Sequence, residues 1–290
     1  MLLSADTELS PQSLDELIFS NRSAAYEQHP ILRHGTVKQD LVQFLNHHPY
    51  NAIFVDQEKI NSIFAIMEKV SLAAPLLQSL DYFKQNDTYT YRHLIVVFAL
   101  STLLAKDLIQ DYDQQIQSIA TGPFHDIGKT CVPLNILKKV TPLTQCERKM
   151  LMHHTAAGYV LCSYYLQDAV DITAVVARDH HERRDGSGHP RGACIDELIV
   201  EIVSVCDVYD ALLSPRPYRP VSFDNRTALE VITEMAEKNQ VRWEVVRALV
   251  AHNRKDRSHA ERPVSLDKRG IPPTMNVYGK VSEEDQDCSG

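Results

Sequence analysis

Phe124-His125-Asp126-Ile127-Gly128-Lys129 is the stretch that most limits how this chain can fold. A histidine and a carboxylate stand side by side there, after a mostly apolar lead-in and before a glycine and a lysine. Imidazole and carboxylate together suit divalent transition metals, and one carboxylate can place an oxygen on each of two ions. Lys129 can offer a cation or a proton to a phosphate. A lone His-Asp pair is weak evidence, since most such pairs arise by chance. Here further histidines recur at His93, His154 and the doublet His180-His181. A fold that serves a metal site has to gather them.

The rest of the composition narrows the class. At 290 residues, one large domain plus a small one is the natural expectation. A net charge of −8 argues against broad electrostatic binding of a DNA or RNA duplex, though not against a local basic pocket for a small anion. The six cysteines show no Cys-x-x-Cys spacing and read as reduced thiols of a cytoplasmic protein. No signal peptide is visible at the N-terminus, and the apolar run Leu94 to Ala105 is too short to span a bilayer.

Helix and turn signals divide the chain. Ser10-Pro11 reads as a helix start. A helix is predicted from about Val37 to His47, and Ala52-Ile53-Phe54-Val55 reads as a short buried strand. Residues 1–62 are therefore expected to form a small N-terminal α/β module with a regulatory or dimerising role. His47-His48 reads as a polar helix end. From Ile63 the pattern turns helical, and 63–80 reads as a connecting helix. Asp87-Thr88 is an N-cap signal for a largely buried helix, Thr90 to Leu108, that carries His93. A lone histidine in such a place is more often a core residue than a ligand. A helix over roughly 113–124 would deliver His125-Asp126 at its end. Neighbouring helical residues point about 100° apart, so both serve one centre only at a helix end or between two ions. Thr144 and Glu147 form a capping box ahead of the helix bearing His153 and His154, of which only one would face a site.

The run His180-His-Glu-Arg-Arg-Asp-Gly-Ser-Gly-His-Pro-Arg-Gly192 follows an apolar helix. Gly186 and Gly188 permit turns closed to other residues and let backbone N–H groups approach a ligand. Asp207 and Asp210 sit on an apolar helix, where a carboxylate is costly unless paired or metal-bound. Arg216 and Arg219, on a proline-stiffened turn, make a reasonable phosphate clamp. Helices are expected over 224–238 and 243–252, and a loose tail from about 258.

Taken together, these motifs resemble a known family. His-Asp-Ile-Gly-Lys at 125–129, His154 with Gly158, the run from His180 to Pro190, Asp207-Val-Tyr-Asp-Ala and Arg216-Pro-Tyr-Arg look like an HD-GYP domain, a bacterial subgroup of the HD metal-dependent phosphohydrolases. The resemblance covers about residues 65–255, and five motifs in order are highly specific. It implies a mainly α, all-helical bundle over 63–257. It also implies a binuclear centre, usually of iron or manganese, and hydrolysis of cyclic di-GMP to linear pGpG or onward to GMP. Some relatives act on other cyclic dinucleotides.

Carried over residue by residue, the resemblance assigns His93, His125, Asp126 and Asp207 to one metal. It assigns Asp126, His154, His180 and His181 to the other, with Asp126 bridging. Lys129 matches a lysine that assists the nucleophile or protonates the leaving oxygen. Arg216 and Arg219 match ligand-holding positions, and Asp87 and Asp210 would support the ligands from behind. Two departures stand out. The family's tyrosine is replaced by His189, which has a different reach and a pH-dependent charge. Tyr89 stands where three-metal members carry a glutamate, so two ions are expected. The segment from Gly192 to Ile195 also looks about two residues short. The expected protein is a cytoplasmic cyclic-dinucleotide phosphodiesterase that does not bind membranes and could form a homodimer. Its rival is a weakly active or inactive cyclic-dinucleotide sensor working through a protein partner.

Overall fold

A computed structural model describes residues 10–215, 221–254 and 264–274. The chain is predominantly helical. In order come α1 (Pro11–Asn21), β1 (Gln28–Pro30), α2 (Val37–Leu45), α3 (Gln57–Met67), β2 (Ser71–Ala73), α4 (Ala74–Asn86), α5 (Thr88–Leu108) and α6 (Tyr112–Ile119). The second half holds α7 (Leu134–Leu137), α8 (Gln145–Met152), α9 (His154–Leu166), α10 (Ile172–Asp179), α11 (Leu198–Leu213), α12 (Asn225–Glu237) and α13 (Trp243–His252).

The axis of the bundle is α5. Asp87 starts it by accepting from Thr90 N at 3.4 Å and Thr90 Oγ1 at 2.6 Å. From His93 to Ala105 every residue of α5 is buried. A helix apolar on all sides must be covered on all sides. Here α2, α3, α4 and α6 pack on it from the first half of the chain, and α11 and α13 from the second. Each Leu, Ile or Phe so enclosed contributes roughly 1.5–3 kcal/mol. Local signals set the other helix starts. Ser10 and Thr144 form capping boxes, and Asp56, Asp111, Asp171 and Asp224 cap their helices through their carboxylates.

Several expectations need correction. Residues 52–55 are not a strand, because Tyr50–Ala52 is a 3-10 turn that tucks Ile53 and Phe54 into the core. The 63–80 stretch is not one helix either. It breaks between α3 and α4, where β2 pairs antiparallel with β1, Gln28 opposite Ala73. The strands of the N-terminal region are thus these two short pieces. Ile31, Leu41, Tyr50 and Ile53 belong to the same hydrophobic cluster as Val96 and Val203. Leu14 and Ile18 of α1 pack instead with Val160 of α9.

The tail is not loose throughout. Glu230 on α12 accepts from the backbone N–H groups of Arg269 and Gly270 at 3.1 and 2.9 Å. Cys131, Cys162, Cys194 and Cys206 are free thiols. Cys146 departs from the expectation, being disulfide-bonded, and Cys288 lies outside the described residues. Among the described residues no helix is long and apolar enough to cross a membrane.

Candidate metal centre

Five parts of the chain bring the histidines and carboxylates to one buried point. His93 comes from the start of α5, and Asp207 and Asp210 from one face of α11. His125 and Asp126 lie between two 3-10 turns, Gly122–Phe124 and Ile127–Cys131. That break in helical geometry lets adjacent residues face one centre. His154 opens α9, while His153 beside it is exposed as expected. His180 and His181 follow the end of α10.

The donors fall into two groups. His93, His125 and Asp207 form one, and Asp126, His154, His180 and His181 the other, with each group's ligand atoms within 4.8 Å of one another. Asp126 lies between them. Its Oδ1 is 3.2 Å from His154 Nε2 and 3.7 Å from His180 Nε2. Its Oδ2 is 3.5 Å from His125 Nε2 and 3.7 Å from His93 Nε2. Asp207 Oδ1 is 3.1 Å from His93 Nε2 and Oδ2 is 3.9 Å from His181 Nδ1.

Hydrogen bonds on the far side of each ring decide what this cluster is for. The Nδ1 atoms of His125, His154 and His180 lie 2.7, 2.6 and 3.1 Å from the carbonyl oxygens of Gly122, Leu151 and Val176. His93 Nδ1 lies 2.7 Å from Asp210 Oδ2. Those oxygens can only accept, so each Nδ1 carries a proton and each ring turns its Nε2 inward, free to act as a ligand once bare. The Nε2 atoms of His93 and His125 are 3.3 Å apart, and those of His154 and His180 are 3.4 Å apart. Bare nitrogens facing at that distance repel unless a cation lies between them. Asp126 Oδ1 is likewise buried with no hydrogen-bond donor. Such a set fits divalent metal ions, with the far-side partners fixing tautomer and orientation.

Electrostatics favour the same state. Burial pushes His125, His180 and His181 below the usual histidine range, the last two strongly. Burial alone would raise the carboxyl of Asp126, but Lys129, His125 and His154 hold it well below the usual range. Asp207 is held down by His93, His181 and His125 against the same burial. Lys129 Nζ donates to Asp126 Oδ2. Asp210 backs His93 as expected, whereas Asp87 supports the centre indirectly, by capping the helix that carries His93.

The glycine-rich loop departs from its expected part. Gly186 has φ +75°, a backbone open to glycine, but its N–H is bonded to Arg183 O at 3.0 Å. Gly188 is pressed on its own loop, since a Cβ there would lie 2.4 Å from Glu182 Cα and His181 O. These glycines shape the loop by close packing. His189 N donates to His181 O at 3.2 Å, and the two rings lie 4.6 Å apart. His189 Nδ1 is buried without a hydrogen-bond partner among the described residues. Burial first, then His154, Arg183 and Arg148, push its pKa down to about 4, so it is neutral at pH 7.

One residue missed in the sequence holds this loop. Glu182 is fully buried and accepts from the backbone N–H groups of Arg191 and Ala193 at 2.7 and 3.0 Å. A glutamate directly after the His180-His181 doublet was the available signal. Tyr89 is 44% exposed and offers no further ligand. Arg216 and Arg219 lie outside the described residues.

A family model described as HD domain matches residues 71–241. The chain belongs to the HD domain family. Its HD domain is 38% identical over 168 residues to "Cyclic di-GMP phosphodiesterase PA4108" of Pseudomonas aeruginosa, covering 56% of this chain and 39% of that one. It is 34% identical over 182 residues to "3'3'-cGAMP-specific phosphodiesterase 1" of Vibrio cholerae, covering 61% of this chain and 39% of that one. The chain thus spans about two fifths of the length of each relative. Among solved structures, Bd1817, an HDG"Y"P protein from Bdellovibrio bacteriovorus, aligns over 82% of this chain and 76% of that chain, with TM-score 0.46 and 16% identity. An HD domain binds divalent metal, and the two donor groups are where this one is equipped to do so.

Proposed function

We propose that this chain is a cyclic-dinucleotide phosphodiesterase that hydrolyses cyclic di-GMP to pGpG and GMP with two metal ions, iron first and manganese second. One observation carries the reading: seven ligand side chains converge in two groups that share the carboxylate of Asp126. Bound there, the metals would supply a hydroxide at neutral pH and neutralise charge on the phosphoryl oxygens. Lys129 holds the Asp126 carboxylate ionised and stands ready to hand a proton from Nζ to the leaving oxygen. The same reading places the protein in the cytoplasm with its substrate.

The test is anaerobically purified, metal-loaded protein incubated with cyclic di-GMP and with cyclic GMP-AMP, with products resolved by chromatography. Linear product from cyclic di-GMP is expected. Faster turnover of cyclic GMP-AMP would reassign the substrate. Binding of either nucleotide with no product would favour a sensor that acts through a protein partner.

His189 motivates that second reading. Its neutral imidazole replaces a phenol and leaves Nδ1 without a partner. His189→Tyr is expected to raise turnover at similar affinity, by up to roughly 10²–10³, the value of one transition-state donor. An unchanged or lower rate in steady-state assays would remove His189 as the cause of reduced activity.

Arg216 and Arg219 are proposed to grip the substrate's phosphates or guanine. Each charge-assisted hydrogen bond is worth roughly 1.5–3 kcal/mol. Alanine at either position should weaken nucleotide binding at least about tenfold in calorimetry, with metal content unchanged. Full affinity in both variants would mean that the turn does not touch the ligand.

A further inference from the structure

Tyr50 lies outside the family match, yet it reaches the metal centre. It opens the 3-10 turn after α2 and is 1% exposed. A buried phenol needs a partner for its hydroxyl. Tyr50 Oη donates to Asp210 Oδ1. The other oxygen of that fully buried carboxylate accepts from Ser214 Oγ at 3.0 Å and holds His93 Nδ1 at 2.7 Å. Arg92 joins the two hydroxyls, donating to Tyr50 Oη at 3.0 Å and to Ser214 Oγ at 2.7 Å. Its guanidinium sits over the rings of Tyr50 and Phe44, at 5.3 and 5.9 Å from their centroids. Two aromatic residues of the N-terminal region thus fix the arginine that precedes a metal ligand. Burial, and then the charge on Asp210, keep the phenol protonated and therefore a donor.

A carboxylate behind a ligating histidine sets both the ring's angle and the basicity of its inward nitrogen. Asp210 can do so only if its own plane is fixed, and Tyr50 fixes the oxygen that His93 leaves over. We propose that Tyr50 is a positioning residue for the metal centre. Through Asp210 it aims His93 Nε2, so the N-terminal region helps to determine metal affinity in the His93, His125 and Asp207 group. The proposal rests on the metal-holding reading of the centre and not on the identity of the substrate.

Tyr50→Phe tests it, since the ring and its stacking on Arg92 remain and only the hydroxyl goes. Metal-free protein is titrated with Mn²⁺, with free ion counted by electron paramagnetic resonance. One binding step is expected to weaken about tenfold or more while the other keeps its affinity and Tm stays at the wild-type value. In the metal-free state, the NMR resonance of the His93 ring N–H is expected to move, because Asp210 has lost a competing donor. Unchanged affinity in both steps with an unmoved His93 resonance overturns the proposal. Parallel weakening of both steps with a lower Tm overturns it too, in favour of a merely structural tyrosine. The NMR arm needs no metal. If wild type binds no Mn²⁺, that counts against the metal-holding reading, while the His93 resonance still decides the role of Tyr50. Should Tyr50→Phe not fold, Ser214→Ala removes another donor to the same carboxylate, and wild-type behaviour in both readouts would overturn the proposal.

Discussion

Asp126→Ala is expected to empty both metal sites and to lower hydrolysis by at least about 10³-fold, near the background rate. The carboxylate sets an oxygen close to each donor group, Oδ1 toward His154 and His180, Oδ2 toward His93 and His125. Without it each group keeps neutral rings, and the first also keeps Asp207. The second group is then left with three imidazoles and no anion to offset the ion's charge, which should weaken its hold on the metal. Asp207→Ala is the contrast, because it sits closer to its own group, 3.1 Å from His93 against 3.9 Å from His181, and should cost one ion. Elemental analysis of identically purified variants reads this directly. A thermal scan gives an independent check, since metal should raise the Tm of wild type and leave that of Asp126→Ala where it was. A full complement of metal in Asp126→Ala would end the bridging assignment.

Gly128→Ala is expected to disrupt the centre without touching a ligand. A Cβ at Gly128 would lie 1.9 Å from His154 O and 2.5 Å from Gly158 N, both backbone atoms of α9. Carbon needs about 3.5 Å or more from such neighbours, so the helix must withdraw by more than an ångström. His154 is the first residue of that helix and would withdraw with it. The overpacking should cost about 3 kcal/mol, the upper end for such substitutions, with a fall in Tm on the order of 5–10 °C. Metal in the group containing His154 should be lost as well. Gly158→Ala serves as a control, because its Cβ would meet Ala177 Cβ at 3.3 Å and Gly128 N at 3.4 Å, contacts that small shifts can relieve. If Gly128→Ala melts like wild type and keeps its metal, the close approach is not what seats His154.

The residues of the two donor groups stood out because their types are rare in apolar surroundings, while their assignment as ligands came from the family resemblance. His93 sits in a run that is otherwise core, and Asp207 on a helix of Val and Ile, so burial without a partner was already implausible there. Helix starts were legible for a local reason, the caps at Asp87, Thr144 and Asp224. What sequence hid was non-local. Ala52 to Val55 is short and apolar, a pattern that fits a strand or a tucked turn equally well. The break between α3 and α4 depends on β1, some forty positions upstream, and Pro75 at the start of α4 was the one local signal within 63–80. Tyr50 and Glu182 looked ordinary, because their importance lies in the buried atoms they meet.

His93 and Asp210 are 117 positions apart, on two helices that the chain completes at very different times. When α5 leaves the ribosome, α11 has not been made, and the faces of α5 that α11 and α13 will cover are still open to water. The centre is thus among the last features to close. Long-range contacts of this kind slow folding, because loop closure must come before they form. The metal therefore enters a nearly finished protein. Which ion a cell installs then depends on what is supplied at that late moment as well as on the donors waiting for it.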